Sequence, residues 1–511
     1  MVGFGDKGDK GDKSAKNEIL SAYRQAQNFI KVRNGDNKPH LRHWRGVFYE
    51  RQPHGASVET SADMMRKAAY EFLDKYGAGV WSPWPTYVNN LVDALKAVTQ
   101  LNDGVEAPLW ISGEREEAAR DLLVCRNGLL HLPTGRMLPH DPDLFSLNGL
   151  TYDYNESAPA PVRWLRFLRE LWGDDETTIG TLQEMFGLFL TPDTRFQKAF
   201  LLVGTARGGK GTIARVLQHM VGLENCCGPT LSSLAQIPFG IESMIGKRVA
   251  VISDARVSKK TDPAVVAERL LTITGEDTLS IVRKNKSDWI GKLSVRVVIV
   301  TNEMPHFSDM SGALPSRFVV LRFTRSFLGR EDPDLTNKLL TELPGILNWA
   351  LAGLARLRAR GRFEQPTSAE AEIAELEDLA SPVSVFLREC CLLPRGDFAS
   401  GDFASSPPPE SLSVPCKWLY GAWANWCRET GQHPGSDAEF GKNLKAARPE
   451  ITKTQLREKG GRVWLYRGIA LAPPPTAEEN RQNLLDRPMS TVIDFGERRD
   501  VRSAVPRPAG E

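Results

Sequence analysis

The fold is decided by the stretch Phe200-Leu201-Leu202-Val203-Gly204-Thr205-Ala206-Arg207-Gly208-Gly209-Lys210-Gly211-Thr212. Its first four residues form a continuous apolar run that is typical of a buried strand, and residues 213–220 are helical in pattern. Glycines let backbone N–H groups converge on an anion without obstruction by side chains, and the N-terminus of the following helix adds a positive end. The order of strand, glycine-rich loop and helix therefore predicts a phosphate-binding loop (P-loop) in a parallel α/β layer.

Nine consecutive residues of this loop are candidate contacts for the phosphates of ATP: Gly204, Thr205, Ala206, Arg207, Gly208, Gly209, Lys210, Gly211 and Thr212. Lys210 is expected to contact the β- and γ-phosphates. A P-loop usually has Ser or Thr directly after its lysine, but this position is Gly211, so the hydroxyl moves to Thr212. Thr212 is therefore a predicted Mg²⁺ contact that acts through a water molecule.

The acidic partner of the Mg²⁺ ion is expected at the end of a later apolar strand. Residues 248–254 fit this requirement, which makes Asp254 the predicted second contact of the ion. An Asp that only caps a following helix would produce the same pattern. A second carboxylate beside Asp254 would serve as general base, but the next residue is Ala255, which leaves the base unassigned and Glu268 as a candidate.

Two further polar residues follow in the order that a P-loop ATPase requires. Asn302 ends the apolar run 297–301 and could orient the attacking water, although Asn is also a common turn former. Arg317 is a candidate finger for the ATP of a neighbouring subunit, a role that typically contributes ~10³ to 10⁵ in rate, and a surface salt bridge is its alternative. The predicted catalytic residues are Lys210, Asp254, Asn302 and Arg317.

Composition describes a globular protein without a marked excess of either charge. The 511 residues are 41% hydrophobic and 25% charged, and 65 Lys and Arg against 63 Asp and Glu give a net charge of +2. This balance excludes DNA binding through a global basic field, so any such contact must be local. The seven cysteines form no C-x-x-C pair and are predicted to be reduced core thiols. Without a signal-peptide core or an apolar run of about 18 residues, we expect a cytoplasmic protein and no membrane partner.

Changes in pattern along the chain predict eight segments. They are a flexible charged arm (1–16), a small N-terminal α+β unit (17–107), a mainly helical collar and oligomerisation region (108–195), the P-loop core (196–363), a helical connector (364–393), a linker (394–415), a small C-terminal domain (416–470) and a disordered tail (471–511).

The motifs together resemble the superfamily-three helicases, specifically the helicase half of phage and plasmid primase-helicases related to the satellite-phage and poxvirus proteins. The pieces that carry the resemblance run in family order: Arg126-Asn127-Gly128-Leu129-Leu130, Leu182-Gln183-Glu184-Met185-Phe186-Gly187, the loop from Gly204, Ser253-Asp254, Thr274-Gly275-Glu276-Asp277, Thr301-Asn302-Glu303-Met304-Pro305, Ser316-Arg317 and residues 342–350. The resemblance covers most of the chain. It implies an α/β fold with an AAA+ P-loop ATPase core, a helical N-terminal collar region and, at 416–470, a small winged-helix-like domain.

The same resemblance implies a ring-shaped, hexameric motor that draws single-stranded DNA through its centre. Residues 275–293 would form the central hairpin, with Arg283, Lys284 and Lys286 facing the DNA. An ordinary solvated charged turn is the alternative, and the lysine that the family usually carries shortly before its Gly-Glu-Asp is Thr272 here. The N-terminal region has no polymerase-type primase signature, so primase activity is not predicted.

Three functions remain open on these grounds. The favoured one is an ATP- and Mg²⁺-dependent helicase on single-stranded or forked DNA, acting in a bacterial host cytoplasm with a separate primase, polymerase or initiator. A DNA-binding initiator scaffold that is controlled by ATP and does not unwind is kept open by the missing acid beside Asp254. A nucleotide kinase is kept open by the Gly-Lys-Gly-Thr at 209–212, which nucleoside monophosphate kinases also contain, although no lid is evident.

Overall fold

The structure is a computed structural model of the chain. It describes residues 11–34, 40–77, 83–236, 240–253, 255, 261–284, 286–305, 307, 313–393, 412–430, 433–458 and 461–472. The chain divides into two compact units, Met1–Val385 with Gly441–Arg448 and Phe386–Phe440 with Pro449–Glu511.

The first unit opens with helices around a small antiparallel sheet. Its elements are α1 (Gly11–Asn34), β1 (Leu41–Trp44), β2 (Val47–Arg51), β3 (Ser57–Thr60), α2 (Ala62–Tyr76) and α3 (Pro85–Thr99). Phe29, Phe72 and Leu91 share one buried cluster that joins the three helices. The predicted flexible arm is corrected in part, because α1 begins at Gly11, where good helix formers follow; residues 1–10 lie outside the described residues.

Short strands precede two helices in the region predicted as a mainly helical collar. The elements are β4 (Leu109–Trp110), β5 (Leu122–Cys125), β6 (Gly128–His131), β7 (Arg136–Leu138), β8 (Leu144–Phe145), α4 (Val162–Trp172) and α5 (Glu176–Phe189). The strand-turn pieces that the sequence pattern also predicts around residues 127–139 are present as β6 and β7. The description of the region as mainly helical is wrong before residue 145, because tight turns with positive-φ glycines at Gly128 and Gly135 fold the short apolar runs into antiparallel strands.

A five-stranded parallel sheet forms the centre of the first unit. The elements from here on are β9 (Ala199–Gly204), α6 (Lys210–Val221), β10 (Cys226–Cys227), α7 (Leu231–Leu234), β11 (Val249–Ser253), α8 (Pro263–Thr274), β12 (Leu279–Ile281), β13 (Trp289–Gly291), β14 (Arg296–Thr301), β15 (Phe318–Phe323), α9 (Leu335–Leu340), α10 (Leu343–Arg360), α11 (Glu370–Ala380) and α12 (Pro382–Cys390). The strand order is β10-β11-β14-β9-β15, and every neighbouring pair is parallel. The prediction of an α/β fold with a parallel sheet is confirmed, and β14 lies between β9, which leads into the glycine-rich loop, and β11, which leads to Asp254.

Helices α5 and α10 approach each other backbone to backbone. A Cβ atom on Gly187 would overlap the carbonyl oxygen of Ala350, and one on Gly353 would lie 2.5 Å from the carbonyl oxygen of Gln183. Close to this contact, Glu184 is 1% exposed and accepts a hydrogen bond from Arg356 at 2.7 Å. Glycine is therefore required at this crossing for lack of space.

The second unit combines two helices with antiparallel strands. Its elements are β16 (Cys391–Leu392), β17 (Ser413–Pro415), α13 (Cys416–Thr430), the first four residues of α14 (Asp437–Ala447), β18 (Thr452–Glu458), β19 (Gly461–Arg467) and β20 (Ala470–Leu471), with sheets β17-β19-β18 and β16-β20. Phe386, Trp423 and Phe440 form its aromatic centre, where ring centroids lie 5.4–5.5 Å from that of Trp423.

Two predicted boundaries around this unit are corrected. Strand β17 falls inside the predicted linker, and β20 reaches into the predicted tail, because pairing with β19 and β16 satisfies their backbone groups. Residues 394–411 and 473–511 lie outside the described residues.

The cysteines fit the expected core thiols only in part, because Cys226, Cys227 and Cys390 are half-buried while the other four are buried. All seven are free, and burial raises the pKa of the Cys125 thiol to about 12. Over the ranges that the structure describes, no helix has both the length and the apolar character needed to cross a bilayer.

The α5–α10 crossing yields a stability prediction with opposite signs at two helical glycines. Gly187→Ala is expected to lower the free energy of unfolding by about 1–3 kcal/mol, because the overlap outweighs the helix-propensity gain of up to about 1 kcal/mol. Gly421→Ala in α13 is the matched control, since a Cβ there meets no atom within 4 Å, and it should be neutral or stabilising. Urea unfolding followed by circular dichroism measures both, and an unchanged midpoint for Gly187→Ala would contradict the packing argument.

Candidate nucleotide-binding site

The glycine-rich loop lies at the carboxyl end of β9 and leads into α6. Gly204 has φ +138°, and a Cβ there would overlap the carbonyl oxygen of Phe323 at the end of β15. The backbone N–H of Thr205 donates to that same oxygen at 3.0 Å. Gly209 precedes α6 with φ +86°. The loop is therefore fixed against β15, and it leads directly into the N-terminus of α6, the end of a helix that favours anions.

Lys210 is 6% exposed at the start of α6. Its Nζ donates to the carbonyl oxygens of Gly204 and Thr205, both at 2.7 Å, and to Oδ1 of Asn302 at 2.9 Å. These acceptors are uncharged, and burial lowers the pKa of the Lys210 ammonium. Within the described part of the chain this buried cation has no carboxylate partner, which is costly, so an anion such as a phosphate would supply the missing charge.

Asn302 follows β14 and is exposed beside Lys210. Its contact with the ammonium brings together two of the four residues that the sequence selects as catalytic. An amide in this place can hydrogen-bond a water molecule next to a bound phosphate, since it offers both a donor and an acceptor.

A cleft of about 1080 Å³ opens over the loop. Seven cationic side chains line it, from Arg163, Arg166, Arg207, Lys210, Arg215, Arg330 and Lys338. Three carboxylates line it as well, from Glu170, Glu331 and Asp332. The cleft is large enough for a whole nucleotide, and its excess of positive charge suits a polyphosphate.

Most of this lining is not predicted from the sequence, which selects only Arg207 and Lys210 among the seven cations. Arg163 and Arg166 come from α4, whose periodic pattern indicates only a core or subunit contact. Arg330 and Lys338 come from the segment after β15. The charged run Arg330-Glu331-Asp332 is the signal that could have identified the second group.

The predicted Mg²⁺ contacts are placed only in part. The Thr212 hydroxyl lines the cleft and accepts a hydrogen bond from Nη2 of Arg215 at 3.2 Å. Asp254 lies outside the described residues, directly after β11. Thr212 and Asp254 remain the residues that would hold the ion. The described ranges contain no cluster of three or more His, Cys, Asp or Glu side chains arranged for a metal.

The candidate general base is not brought to the cleft. Glu268 is exposed on α8 and does not belong to the cleft lining, while Ala255, next to Asp254, is 4% exposed.

Arg317 lies at the amino ends of the sheet strands, whereas the loop lies at their carboxyl ends. It directly precedes β15, whose Phe318 pairs with Ala199 at the start of β9, whereas the loop follows the end of β9. Its Nη1 donates to Oε1 of Gln197, and the neighbouring Ser316 carbonyl accepts from Lys198 at 2.5 Å. The structure therefore keeps Arg317 away from the cleft of its own subunit.

Strands β12 and β13 form the predicted hairpin, but the predicted contact of Arg283 with DNA is corrected. Arg283 is 6% exposed, and it donates to the carbonyl oxygens of Ser287 and Arg45, both at 2.8 Å. Lys284 is exposed, and Lys286 forms an ion pair with Glu59 of β3. Arg283 is buried because it binds the carbonyl oxygen of Arg45, which lies 238 residues earlier in the chain, and the local charge pattern does not reveal this contact.

Arg45, which binds Arg283, lies in the turn between β1 and β2. The Arg45 guanidinium lies 4.4 Å from the centroid of the Trp44 ring and 5.1 Å from that of Trp289 in β13. It also forms an ion pair with Glu106 at 2.8 Å. These contacts attach the hairpin to the N-terminal sheet.

Comparisons with known proteins place two family matches along the first unit. Residues 86–173 match a family described as D5 N terminal like, and residues 202–317 match a family of unknown function, DUF5906. The second match begins in β9 and ends at Arg317, so it contains the loop, Asn302 and the hairpin. Together the two matches correspond to an architecture like that of phage and plasmid primase-helicases.

Two solved structures of the NrS-1 C-terminal region in apo form are similar to this chain. One has 13% sequence identity and a TM-score of 0.50, and the match covers 87% of this chain and 99% of that one. The other has 13% identity and a TM-score of 0.48, with 86% and 98% covered. The first likeness indicates a shared overall fold.

Proposed function

We propose that this chain is an ATP-hydrolysing motor that moves on single-stranded DNA as a replication helicase and works as a ring. The observation that carries the proposal is the buried Lys210 ammonium at the N-terminus of α6, whose partners among the described residues are uncharged and include Asn302. This combination suits a bound triphosphate and a water molecule held beside it.

The residues of the chain have separate tasks in this proposal. The N–H groups of the loop and Lys210 bind the phosphates, and Asn302 orients the attacking water. Thr212 and Asp254 hold Mg²⁺, which neutralises phosphate charge when it is bound. The position of β14 between β9 and β11 supports this assignment, since it sets Asn302 between the loop and the strand that leads to Asp254.

The place of Arg317 supports a ring. It lies at the amino ends of the strands and the loop lies at their carboxyl ends, so Arg317 cannot reach the nucleotide of its own subunit without a large rearrangement. A neighbouring subunit could present that same edge to the next cleft, and hydrolysis would then depend on assembly.

The family matches support a role in DNA replication. The D5 N terminal like match and the DUF5906 match follow each other as in phage and plasmid primase-helicases. AAA+ membership and the hexamer are part of the proposal.

A DNA-binding initiator scaffold that uses ATP only for assembly is the second candidate. The buried Ala255 favours it, because it occupies the position where a second carboxylate would act as base. Such a scaffold would bind ATP with negligible turnover.

Steady-state ATP hydrolysis with and without single-stranded DNA tests the proposal. We expect DNA to stimulate turnover, the stimulation to weaken with salt, and Lys210→Ala to lose activity because the phosphates lose their cation. Lys96→Ala, which removes an exposed lysine of α3, should behave like wild type. Turnover that is indifferent to DNA would refute the helicase, and ATP binding without turnover would favour the scaffold.

Mixed subunits test the role of Arg317 across a subunit interface. Arg317→Ala and Lys210→Ala are each expected to be inactive, with a loss for Arg317→Ala of the order of 10³-fold. Their mixture should regain activity, since an intact loop then meets an intact arginine from its neighbour. A mixture as inactive as its components would refute the shared site.

The hairpin ion pair gives a prediction for DNA affinity. If Lys286 binds a DNA phosphate, Glu59 competes for it, and Glu59→Gln should tighten binding up to about fivefold, as expected for an exposed pair. Lys286→Ala should weaken binding and abolish the effect of Glu59→Gln in the double variant. Fluorescence anisotropy with a labelled oligonucleotide measures all three, and additive effects of the two changes would rule out the competition.

A further inference from the structure

One face of the β18–β19 hairpin in the second unit carries cations and a tryptophan. Residues directly opposite in an antiparallel pair point to the same side, and alternate pairs share one face. The register pairs Lys453 with Tyr466, Gln455 with Trp464 and Arg457 with Arg462. We call these six residues the hairpin face.

The hairpin face is open to solvent over most of its length. Trp464 is 49% exposed, and Lys453, Gln455, Arg457 and Arg462 are exposed as well. Only Tyr466, at one end, is buried, at 5%. On the other side of the hairpin, Thr454, Val463 and Leu465 are half-buried, whereas Thr452, Leu456 and Arg467 are exposed, so only part of that side packs within the unit.

The chemistry of the hairpin face is cationic and aromatic together. It has three cations and no carboxylate, and Nζ of Lys453 lies 5.7 Å from the centroid of the Trp464 ring and 5.6 Å from that of Tyr466. Burial and the nearby Asp437 of α14 raise the pKa of the Tyr466 hydroxyl, but the six residues of the hairpin face include no carboxylate. A single exposed tryptophan is ordinary, whereas an exposed indole among cations fits a partner that has both flat rings and negative charge.

We propose that the hairpin face binds single-stranded nucleic acid. A base stacks on Trp464, and Lys453, Arg457 and Arg462 contact the phosphates on either side of it. The bases of a duplex are already stacked and cannot offer their flat faces to an indole, so the single strand is the favoured partner. This site belongs to the second unit and does not require the ATP site to function.

Stacking is tested by anisotropy with a fluorescein-labelled thymidine oligonucleotide and the full chain, without nucleotide. Trp464→Ala is expected to weaken binding about tenfold, the effect of losing one stacked base. Trp418→Ala is the matched control, because Trp418 is 69% exposed on α13 and outside the hairpin face, and it should bind like wild type. Equal affinities for Trp464→Ala and wild type, or equal losses for both variants, would overturn the proposal.

The phosphate contacts are tested by salt dependence. Arg457→Ala with Arg462→Ala should reduce the slope of log affinity against log salt by about 1.4, since each single-strand phosphate contact contributes about 0.7. Arg467→Ala removes an exposed arginine of the same strand on the other side of the hairpin and should leave the slope unchanged. A slope that changes equally in both, or in neither, would contradict the assignment.

Competitors identify the nucleic acid. Unlabelled oligouridine that displaces the probe would extend the proposal to RNA, and displacement by thymidine oligonucleotides alone would restrict it to DNA. A blunt duplex that competes as well as the single strand would overturn it. Loss of binding in Trp464→Ala together with DNA-independent ATP hydrolysis would support this site while refuting the motor.

Discussion

The hydrogen bonds of the Lys210 ammonium are the constraint on which the first unit depends. A cation that is almost fully buried needs oxygen atoms around it, and the fold supplies them from the loop after β9 and from the residue after β14. This requirement fixes the position of the loop relative to two neighbouring strands. The contact of Gly204 with the end of β15 fixes it relative to a third. A parallel sheet meets both demands, because the carboxyl ends of its strands share one edge.

The nucleotide cleft is only partly a property of this edge. Its walls also come from α4, which precedes the sheet in the chain, and from the segment that follows β15. The charge on these walls is mostly positive, so the cleft concentrates cations in a protein whose overall charge is close to neutral. Local charge of this kind can bind a polyanion without a basic surface elsewhere.

The elements that the sequence predicts well are those defined by short-range patterns. The strand, loop and helix around Lys210 have a periodicity and glycine spacing that only a few local structures satisfy. The contact between Lys210 and Asn302 follows because the carboxyl ends of the parallel strands β9 and β14 lie side by side. Arg283 could not be placed in this way, because its burial depends on Arg45, far away in sequence. The turn residues around 127–139 predict strands β6 and β7, whereas β4, β5 and β8 were not predicted, because their apolar runs are too short to show a period.

The contact between the β12–β13 hairpin and the N-terminal sheet β1-β2-β3 has a mechanical consequence. The Arg45 side chain is held between the rings of Trp44 and Trp289, and its backbone carbonyl accepts from Arg283. A displacement of β12 and β13 must therefore either carry the sheet with it or break these contacts. In the proposed motor, a moving β12–β13 hairpin would then carry the sheet β1-β2-β3 with it, so the two layers would move together. The stiffness of this two-layer part of the protein then depends on residues 41–60 as much as on β12 and β13.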